Sequence, residues 1–244
     1  GGQIAIDGLT IQQDPASYRQ KIGYIPETPS LYEELTLREH LETVLMAYGL
    51  DVTEGMARAD KYLKLFRLDE KLDWFPTQFS KGMKQKVAIV CALMHDPAVL
   101  ILDEPTSGLD PLMQNRFIDL ILEEKQRGKT VLMSSHMFEE VERTCARVGI
   151  LREGRLAAVE EIGTLKARRS RTYSVTLSTP DAAAAFAAAP GLRVQAAQGC
   201  TVTVRVRDGM SALTAAMARF PVTSIDAPRQ SLEDVFLHYY GKEA

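Results

Sequence analysis

The sequence predicts an α/β protein, in which a doubly wound α/β core is followed by a small α+β domain of ferredoxin-like order. The core is indicated by strands that alternate with helices from residue 99 to a helix that starts at Met137. The second domain is indicated by a β-α-β-β-α-β order from residue 172 onward. A chain of 244 residues with 45% hydrophobic and 25% charged residues has room for both domains.

The elements of the core follow from local patterns. Short strands are predicted over 3–7 and 22–25, and a helical pattern runs over 36–66, starting at a capping box formed by Thr36 and Glu39. The apolar run Val99–Leu102 is typical of a strand buried on both faces of a parallel sheet. Further elements are a helix within 53–66, one from about 82 to a stop at 97, one over 112–127, a strand over 130–134, a helix from 137 and a hairpin over 148–159.

Composition changes after Gly163, which predicts domains over residues 1–163 and 164–244. The basic run Lys166–Arg171 is interpreted as a solvated linker, with contact to a membrane surface as the less favoured alternative. The second domain is predicted to have strands over 172–177, 192–196, 201–206 and 222–225, helices over 181–189 and 210–219, and a closing helix over 232–240.

Charge and cysteine content exclude some classes of function. The formal net charge of -3 provides no basic field for binding nucleic acid, so no nucleic-acid partner is expected. Cys91, Cys145 and Cys200 lie far apart without metal-ligand spacing, which is typical of reduced thiols in a cytosolic protein. No apolar run approaches the roughly 20 residues that a membrane-spanning helix needs.

Two adjacent carboxylates stand out at the end of a predicted strand. Asp103 and Glu104 follow Val99–Leu102, and ligands bind at the carboxyl ends of strands in open α/β sheets. One carboxylate can hold Mg²⁺ through its water shell while its neighbour orients or deprotonates a water. A bare Asp-Glu pair is more often a polar strand end, but the surrounding string Leu100–Pro111 favours the functional interpretation.

Two further segments have phosphate-binding character. Ser80 and Gly82 lie where a helix begins, and its free N–H groups and positive dipole end suit a phosphate, while Ser80 also serves as an ordinary helix cap. His136 follows the predicted strand over 130–134. A lone histidine in that place is more often a packing residue than a catalyst.

These segments together resemble the ATP-binding cassette, or ABC, family. Residues 100–111 resemble its Walker B motif and D-loop, and 79–86 resemble its signature, usually Leu-Ser-Gly-Gly-Gln. Residues 131–136 resemble the strand of the switch histidine, and 22–27 resemble the loop that usually carries a glutamine. The resemblance covers residues 1–163, and the closing segment 231–236 is similar to that of ABC-2-type and Ecs-like bacterial exporters.

The resemblance implies a P-loop NTPase-like core with a helical subdomain, in an ATPase subunit that uses ATP and Mg²⁺. Its implied partners are a separate membrane permease, of an exporter, and a second nucleotide-binding subunit, at the inner face of the cell membrane. The implied roles are water activation by Glu104, γ-phosphate contact by His136, metal binding by Asp103 and Glu27, and contact with nucleotide in the dimer by Ser80, Lys81, Gly82, Asp110 and Glu27. The alternatives are a non-transport cassette ATPase of the repair or translation kind, or a non-catalytic regulatory cassette.

The chain departs from the family pattern at three positions. Glu27 stands in place of the glutamine and would add a third carboxylate near Mg²⁺. Lys81 and Met83 replace a glycine and the glutamine of the signature. Lys81 either adds positive charge near the phosphates or is solvated.

A phosphate-binding loop of the form G-x-x-x-x-G-K-[ST] does not occur in the sequence. Because Asp103, Glu104 and His136 are retained, truncation before or within the cassette is a simpler interpretation than a binding protein without the loop. The chain by itself is therefore expected neither to bind nor to hydrolyse ATP, and its first domain is expected to be partly molten.

Overall fold

The structure is a computed structural model that describes residues 2–168, 171–206 and 210–226. The chain divides into two compact units, Gly1–Thr144 and Cys145–Ala244. The predicted domain boundary between residues 163 and 164 stays a prediction. No helix in the described ranges is long and apolar enough to cross a membrane.

The first unit alternates strands and helices, and its helices begin where the sequence places caps. Thr36 caps α2 through the predicted capping box with Glu39, and Ser80 caps α4. Helix α1 was not predicted, although Asp14 caps it and Pro15 is its first residue. The elements are β1 (Ala5–Ile6), β2 (Leu9–Thr10), α1 (Pro15–Gln20), β3 (Ile22–Ile25), α2 (Leu37–Ala47), α3 (Val52–Phe66), α4 (Lys81–Leu93), β4 (Val99–Asp103), α5 (Pro111–Gln126), β5 (Thr130–Ser134) and α6 (Phe138–Thr144).

The central sheet consists of three parallel strands in the order β3-β4-β5. On one face, Leu100 and Leu102 are fully buried in the core of the unit. On the other face, the side chains of Tyr24 and Leu132, in register on either side of Ile101, are 54% and 65% exposed. The prediction that β4 is buried on both faces is therefore wrong for the described residues, because helices cover only one face of the sheet.

Helix α4 lies unusually close to strand β3. A Cβ atom added to Gly23 would stand 2.2 Å from the carbonyl oxygen of Ala92 and 2.8 Å from a methyl of Leu100. Only glycine fits between the strand and the helix, so the position of α4 against the sheet depends on it. That position matters because the N-terminus of α4 carries the predicted signature residues.

A buried ionic cluster fastens the end of α5 to the start of β5. Glu124 is 1% exposed, and its two carboxylate oxygens lie 3.0 Å from Arg127 and 2.6 Å from Lys129. The contact with Lys129 is an ion pair whose orientation falls short of a hydrogen bond. The Lys129 ammonium also lies 2.6 Å from Oδ1 of Asp96, and this contact is the main reason that the pKa of Asp96 is lowered.

Two buried histidines make the stability of the first unit depend on pH. Burial lowers the pKa of both His40 and His95 below the usual value near 6.5. The unfolded chain therefore binds more protons below that pH, so stability is complete above pH 6.5 and is lost as the pH falls toward the folded-state pKa values.

We expect denaturant unfolding to show this loss beginning below about pH 6.5, before most carboxylates titrate. The double change His40→Gln and His95→Gln should reduce the slope in that range. The same slope in the double variant would contradict this assignment. The lowered pKa values of Asp14 and Glu39 mean that their contribution to stability is lost as the pH falls from the usual carboxyl range through the lowered folded-state values, so the two effects separate on the pH axis.

The second unit begins with a hairpin and continues as a ferredoxin-like domain. Its four-stranded antiparallel sheet has the order β11 (Val222–Asp226), β8 (Arg171–Leu177), β10 (Thr201–Val206), β9 (Val194–Gln198). Helix α8 (Pro180–Ala187) packs on this sheet around the fully buried Phe186. The predicted β-α-β-β-α-β order is confirmed. The elements are β6 (Arg147–Arg152), β7 (Arg155–Glu161), α7 (Ile162–Arg168), β8 (Arg171–Leu177), α8 (Pro180–Ala187), β9 (Val194–Gln198), β10 (Thr201–Val206), α9 (Ser211–Met217) and β11 (Val222–Asp226).

The predicted linker is partly wrong. Helix α7 continues to Arg168, so the first part of the basic run belongs to a helix and not to a linker between elements. Lysine and arginine are good helix formers, and a basic run therefore does not by itself end a helix. The predicted closing helix over 232–240 and the exporter-like segment 231–236 lie outside the described residues.

Candidate functional site

The site is centred on the C-terminal ends of the two neighbouring strands β4 and β5. Asp103 and Ser134 are the last residues of these strands and stand opposite each other in the parallel register. The hydroxyl of Ser134 donates a hydrogen bond of 2.6 Å to Oδ1 of Asp103 and accepts one of 3.1 Å from the N–H of Glu104. Ser134 thus contacts both members of the predicted carboxylate pair.

Glu104 turns directly toward the predicted switch histidine. Its φ angle of +44° lies in the left-handed region, which residues other than glycine rarely adopt. Its Oε2 is 2.7 Å from Nδ1 of His136, and the Glu104 side chain is 21% exposed while that of His136 is 77% exposed. The structure therefore brings together the two residues that sequence reasoning placed in catalysis, and strained backbone at such a place is typical of functional sites.

A buried carboxylate stabilises the segment that carries His136 through a hydrogen bond to the neighbouring serine. The hydroxyl of Ser135 donates to Oε2 of Glu140 at 2.9 Å and accepts from the N–H of Met137 at 2.9 Å. Glu140 is 2% exposed and lies on α6. Sequence reasoning missed both Ser134 and Glu140; the doublet Ser134-Ser135 directly before His136 was the available signal.

The predicted signature residues are at the N-terminus of α4 and contact the turn that follows the carboxylates. Ser80 accepts from the N–H of Met83 at 3.2 Å, and the ammonium of Lys81 donates to the hydroxyl of Ser107 at 3.1 Å. A Cβ atom at Gly82 would stand only 2.4 Å from the carbonyl oxygen of Gly108, so glycine is required for this approach. Lys81 is exposed and contacts the turn, and the interpretation that it adds positive charge near the phosphates stays a prediction.

Further along α4, a buried amide strengthens the same contact. Gln85 is fully buried, and its Nε2 donates a hydrogen bond of 2.9 Å to the carbonyl oxygen of Pro105. The turn after Glu104 is therefore hydrogen-bonded to the N-terminal part of α4, so a movement of the turn would displace that part of the helix.

The remaining predicted residues lie at the margin of the site. Asp110 caps helix α5, and its Oδ1 accepts from the N–H of Met113 at 3.0 Å. Glu27 is exposed, two residues beyond the end of β3, at the edge of the sheet where β4 ends in Asp103. Within the described part of the chain it has no hydrogen bond or ion pair.

Comparison with known proteins identifies the family to which this chain belongs. Residues 1–107 match the family model described as ABC transporter. The chain is 48% identical over 165 residues to the ABC-type transporter ATP-binding protein EcsA of Bacillus subtilis, which covers 68% of this chain and 67% of EcsA. The chain belongs to the ABC transporter ATP-binding family. The predicted resemblance and the P-loop NTPase-like fold are thereby confirmed.

Other ABC relatives extend the likeness. The Nod factor export ATP-binding protein I of Paraburkholderia xenovorans is 31% identical over 99% of this chain and 80% of its own length. A solved ATP-binding subunit of an ABC transporter is 44% identical, with a TM-score of 0.64 over 68% of this chain and 69% of that one. The dimeric ATP-binding cassette MJ0796, bound to ADP and Pi, is 26% identical with a TM-score of 0.59 over 66% of this chain and 74% of its own.

ABC ATP-binding subunits are ATPases that use ATP with Mg²⁺ and act within transporter complexes. The chain spans 67%, 62% and 51% of the length of three Bacillus subtilis relatives that it matches. The activity and partners of the whole protein are therefore treated as proposals below.

The residues present fit the Mg²⁺ that an ABC subunit uses. Within the described residues no group of three or more histidine, cysteine, aspartate or glutamate side chains gathers as a metal cage. Mg²⁺ in nucleotide sites needs only one or two carboxylates, since phosphates and waters supply the other ligands. The exposed carboxylate of Asp103, fixed through one oxygen by Ser134, meets that requirement.

Proposed function

We propose that this protein is the ATP-hydrolysing subunit of an ABC exporter and that it energises a separate membrane permease from the inner face of the membrane. The observation that carries the proposal is the contact of 2.7 Å between Glu104 and His136 at the carboxyl end of β4, next to Asp103. A carboxylate and an imidazole in contact at the ligand-binding edge of an α/β sheet are suited to moving a proton.

In this proposal each site residue has one task. Glu104 orients the attacking water and accepts its proton, while His136 fixes the carboxylate of Glu104 and reaches the γ-phosphate. Asp103 holds Mg²⁺, with Glu27 as a second carboxylate at the same edge. When bound, Mg²⁺ neutralises the charge that develops on the transferred phosphoryl group.

A phosphate-binding loop is still needed, and the sheet offers a place for it. We propose that a further parallel strand pairs with β5 and that a helix covers the face formed by Tyr24, Ile101 and Leu132. The 65% exposure of Leu132 supports this, because an apolar side chain in mid-strand is normally covered. A preceding strand, loop and helix would place the backbone N–H cradle opposite Asp103 and Glu104.

We propose a second nucleotide-binding subunit because of the position of the signature residues. Ser80, Lys81 and Gly82 at the N-terminus of α4, together with Asp110, would face ATP held by that subunit. The dimeric cassette MJ0796 supports this assembly by analogy. Export is supported by the likeness to the Nod factor export protein.

Docking of the permease is proposed on the helical region within residues 28–95. A groove of about 380 Å³ lies between the loop after β3 and helices α2 and α4. Its lining includes Pro29, Leu31, Tyr32, His40 and Ala88. The lining also includes Pro26, the neighbour of Glu27, so a permease helix in this groove would influence the edge of the sheet where Mg²⁺ is proposed to bind.

The proposal is tested by changing His136→Ala in the full-length protein with its phosphate-binding loop. We expect kcat for ATP to fall by about 10²-fold, because a preorganised group that stabilises developing charge is lost, while the KM for ATP and the unfolding temperature stay near those of the unchanged protein. Unfolding without loss of turnover per folded molecule would instead assign His136 to packing. If the unchanged protein shows no Mg²⁺-dependent ATP turnover, the proposed function itself fails.

A further inference from the structure

We infer that Ser134 is the positioning residue of this site, whose single hydroxyl fixes both the metal-binding carboxylate and the backbone of the general base. The inference rests on the proposed function. Ser134 lies within residues 131–136, which resemble the switch-histidine strand, but sequence analysis assigned it no role. Its importance follows from contacts that it makes on a neighbouring strand.

The hydroxyl of Ser134 acts both as a hydrogen-bond donor and as a hydrogen-bond acceptor. It donates to Oδ1 of Asp103 at 2.6 Å, a short distance typical of hydrogen bonds to a charged carboxylate. It accepts from the N–H of Glu104 at 3.1 Å. A hydroxyl has one donor and two acceptor positions, so a single serine satisfies both contacts at once. Alanine removes both of them, whereas threonine retains the hydroxyl.

Each contact holds a different part of the reaction geometry. The bond to Asp103 occupies one carboxylate oxygen and leaves the other for the water shell of Mg²⁺. The bond to the N–H of Glu104 stabilises a backbone with φ of +44°, which is disfavoured for a residue with a side chain. With that backbone, Oε2 of Glu104 lies 2.7 Å from Nδ1 of His136. Loss of the hydroxyl therefore loosens the metal site and the general base together.

A role in strand packing alone does not account for this arrangement. Ser134 is exposed at the end of β5, so it fills no space in the core that the described residues form. The backbone pairing of β4 with β5 covers Val99–Asp103 against Thr130–Ser134 and does not depend on the serine side chain. Thr130, an exposed hydroxyl residue at the opposite end of the same strand, provides a matched control.

The experiment compares Ser134→Ala, Ser134→Thr and the control Thr130→Val in the full-length protein with its phosphate-binding loop. For Ser134→Ala we expect kcat to fall by about 10–100-fold, the effect of losing a hydrogen bond to a charged group. The Mg²⁺ concentration for half-maximal turnover should rise by about tenfold for the same reason, with the KM for ATP changed less. Ser134→Thr and Thr130→Val should both remain near the unchanged protein.

A second measurement does not depend on turnover. Hydrogen exchange at the amide of Glu104 should be about tenfold faster in Ser134→Ala than in the unchanged protein, and Thr130→Val should not accelerate it. Unchanged kcat, Mg²⁺ dependence and Glu104 exchange in Ser134→Ala would overturn the inference. A lower unfolding temperature with unchanged Mg²⁺ dependence per folded molecule would overturn it too, since this is the result for a merely structural residue. If the unchanged protein does not hydrolyse ATP, the proposed function fails, and amide exchange still decides whether Ser134 positions Glu104.

Discussion

Replacing Glu104 by glutamine is expected to lower ATP turnover by about 10²–10⁴-fold, because the change removes the general base while retaining the shape of the side chain. Glutamine can still hydrogen-bond to His136, so the 2.7 Å contact seen with Glu104 has a substitute and the fold should be preserved. The measurement is steady-state ATP hydrolysis in a protein in which this chain is joined to a phosphate-binding loop, together with nucleotide binding by calorimetry.

The control for Glu104→Gln is Glu70→Gln. Glu70 is an exposed glutamate on the short 3-10 helix Asp69–Lys71, and its loss should leave turnover unchanged. ATP binding should survive in both variants, since neither side chain is proposed to hold the phosphates. Turnover of Glu104→Gln within about threefold of the unchanged protein would remove Glu104 from the role of base, because lost bases cost far more than that.

Replacing Lys129 by methionine should cost the chain about 3 kcal/mol of its free energy of unfolding. Removing one partner of a buried ion pair typically costs about 3–5 kcal/mol because the other charge stays buried. Glu124, 1% exposed, would lose its contact of 2.6 Å with Lys129 but keep Arg127 at 3.0 Å. That remaining partner places the expected loss at the lower end of the range.

The environment of Glu124 supports this expectation. Burial, followed by the negative charge of Glu124, raises the pKa of Tyr62 to about 12. The measurement is denaturant unfolding of the chain followed by circular dichroism. The matched control is Lys64→Met, which breaks an ion pair of 2.7 Å with Asp60 whose side chains are 63% and 53% exposed. Such a surface pair is worth at most about 1 kcal/mol.

A second variant separates the ion pair from packing. Adding Glu124→Leu to Lys129→Met removes the stranded charge and should recover part of the lost stability, since apolar replacement of a whole buried pair is often neutral. Equal losses of the free energy of unfolding for Lys129→Met and Lys64→Met would contradict the assignment of the cluster as a stabilising buried ionic contact between α5 and β5.

The sequence by itself determined the local elements and the residues that are proposed to form the site. The capping box at Thr36, the strand over Val99–Leu102 and the strand over 130–134 are encoded in short patterns, and each is present in the structure. Asp103 and Glu104 could be found because they are adjacent in the chain and follow an apolar run. His136 gained its role from the resemblance, since a single histidine has no local pattern of its own.

Only the tertiary structure decided which side chains meet. Ser134 contacts Asp103 because two strands pair in a particular parallel register, and Lys81 contacts Ser107 because α4 lies close to the turn. The same holds for Glu140, whose carboxylate meets Ser135 behind His136 only once α6 has packed. Periodicity along a chain records which face of an element is apolar, whereas a hydrogen bond between distant residues depends on strand register and helix position. These are set by the packing of the whole unit, and no short stretch of sequence contains them.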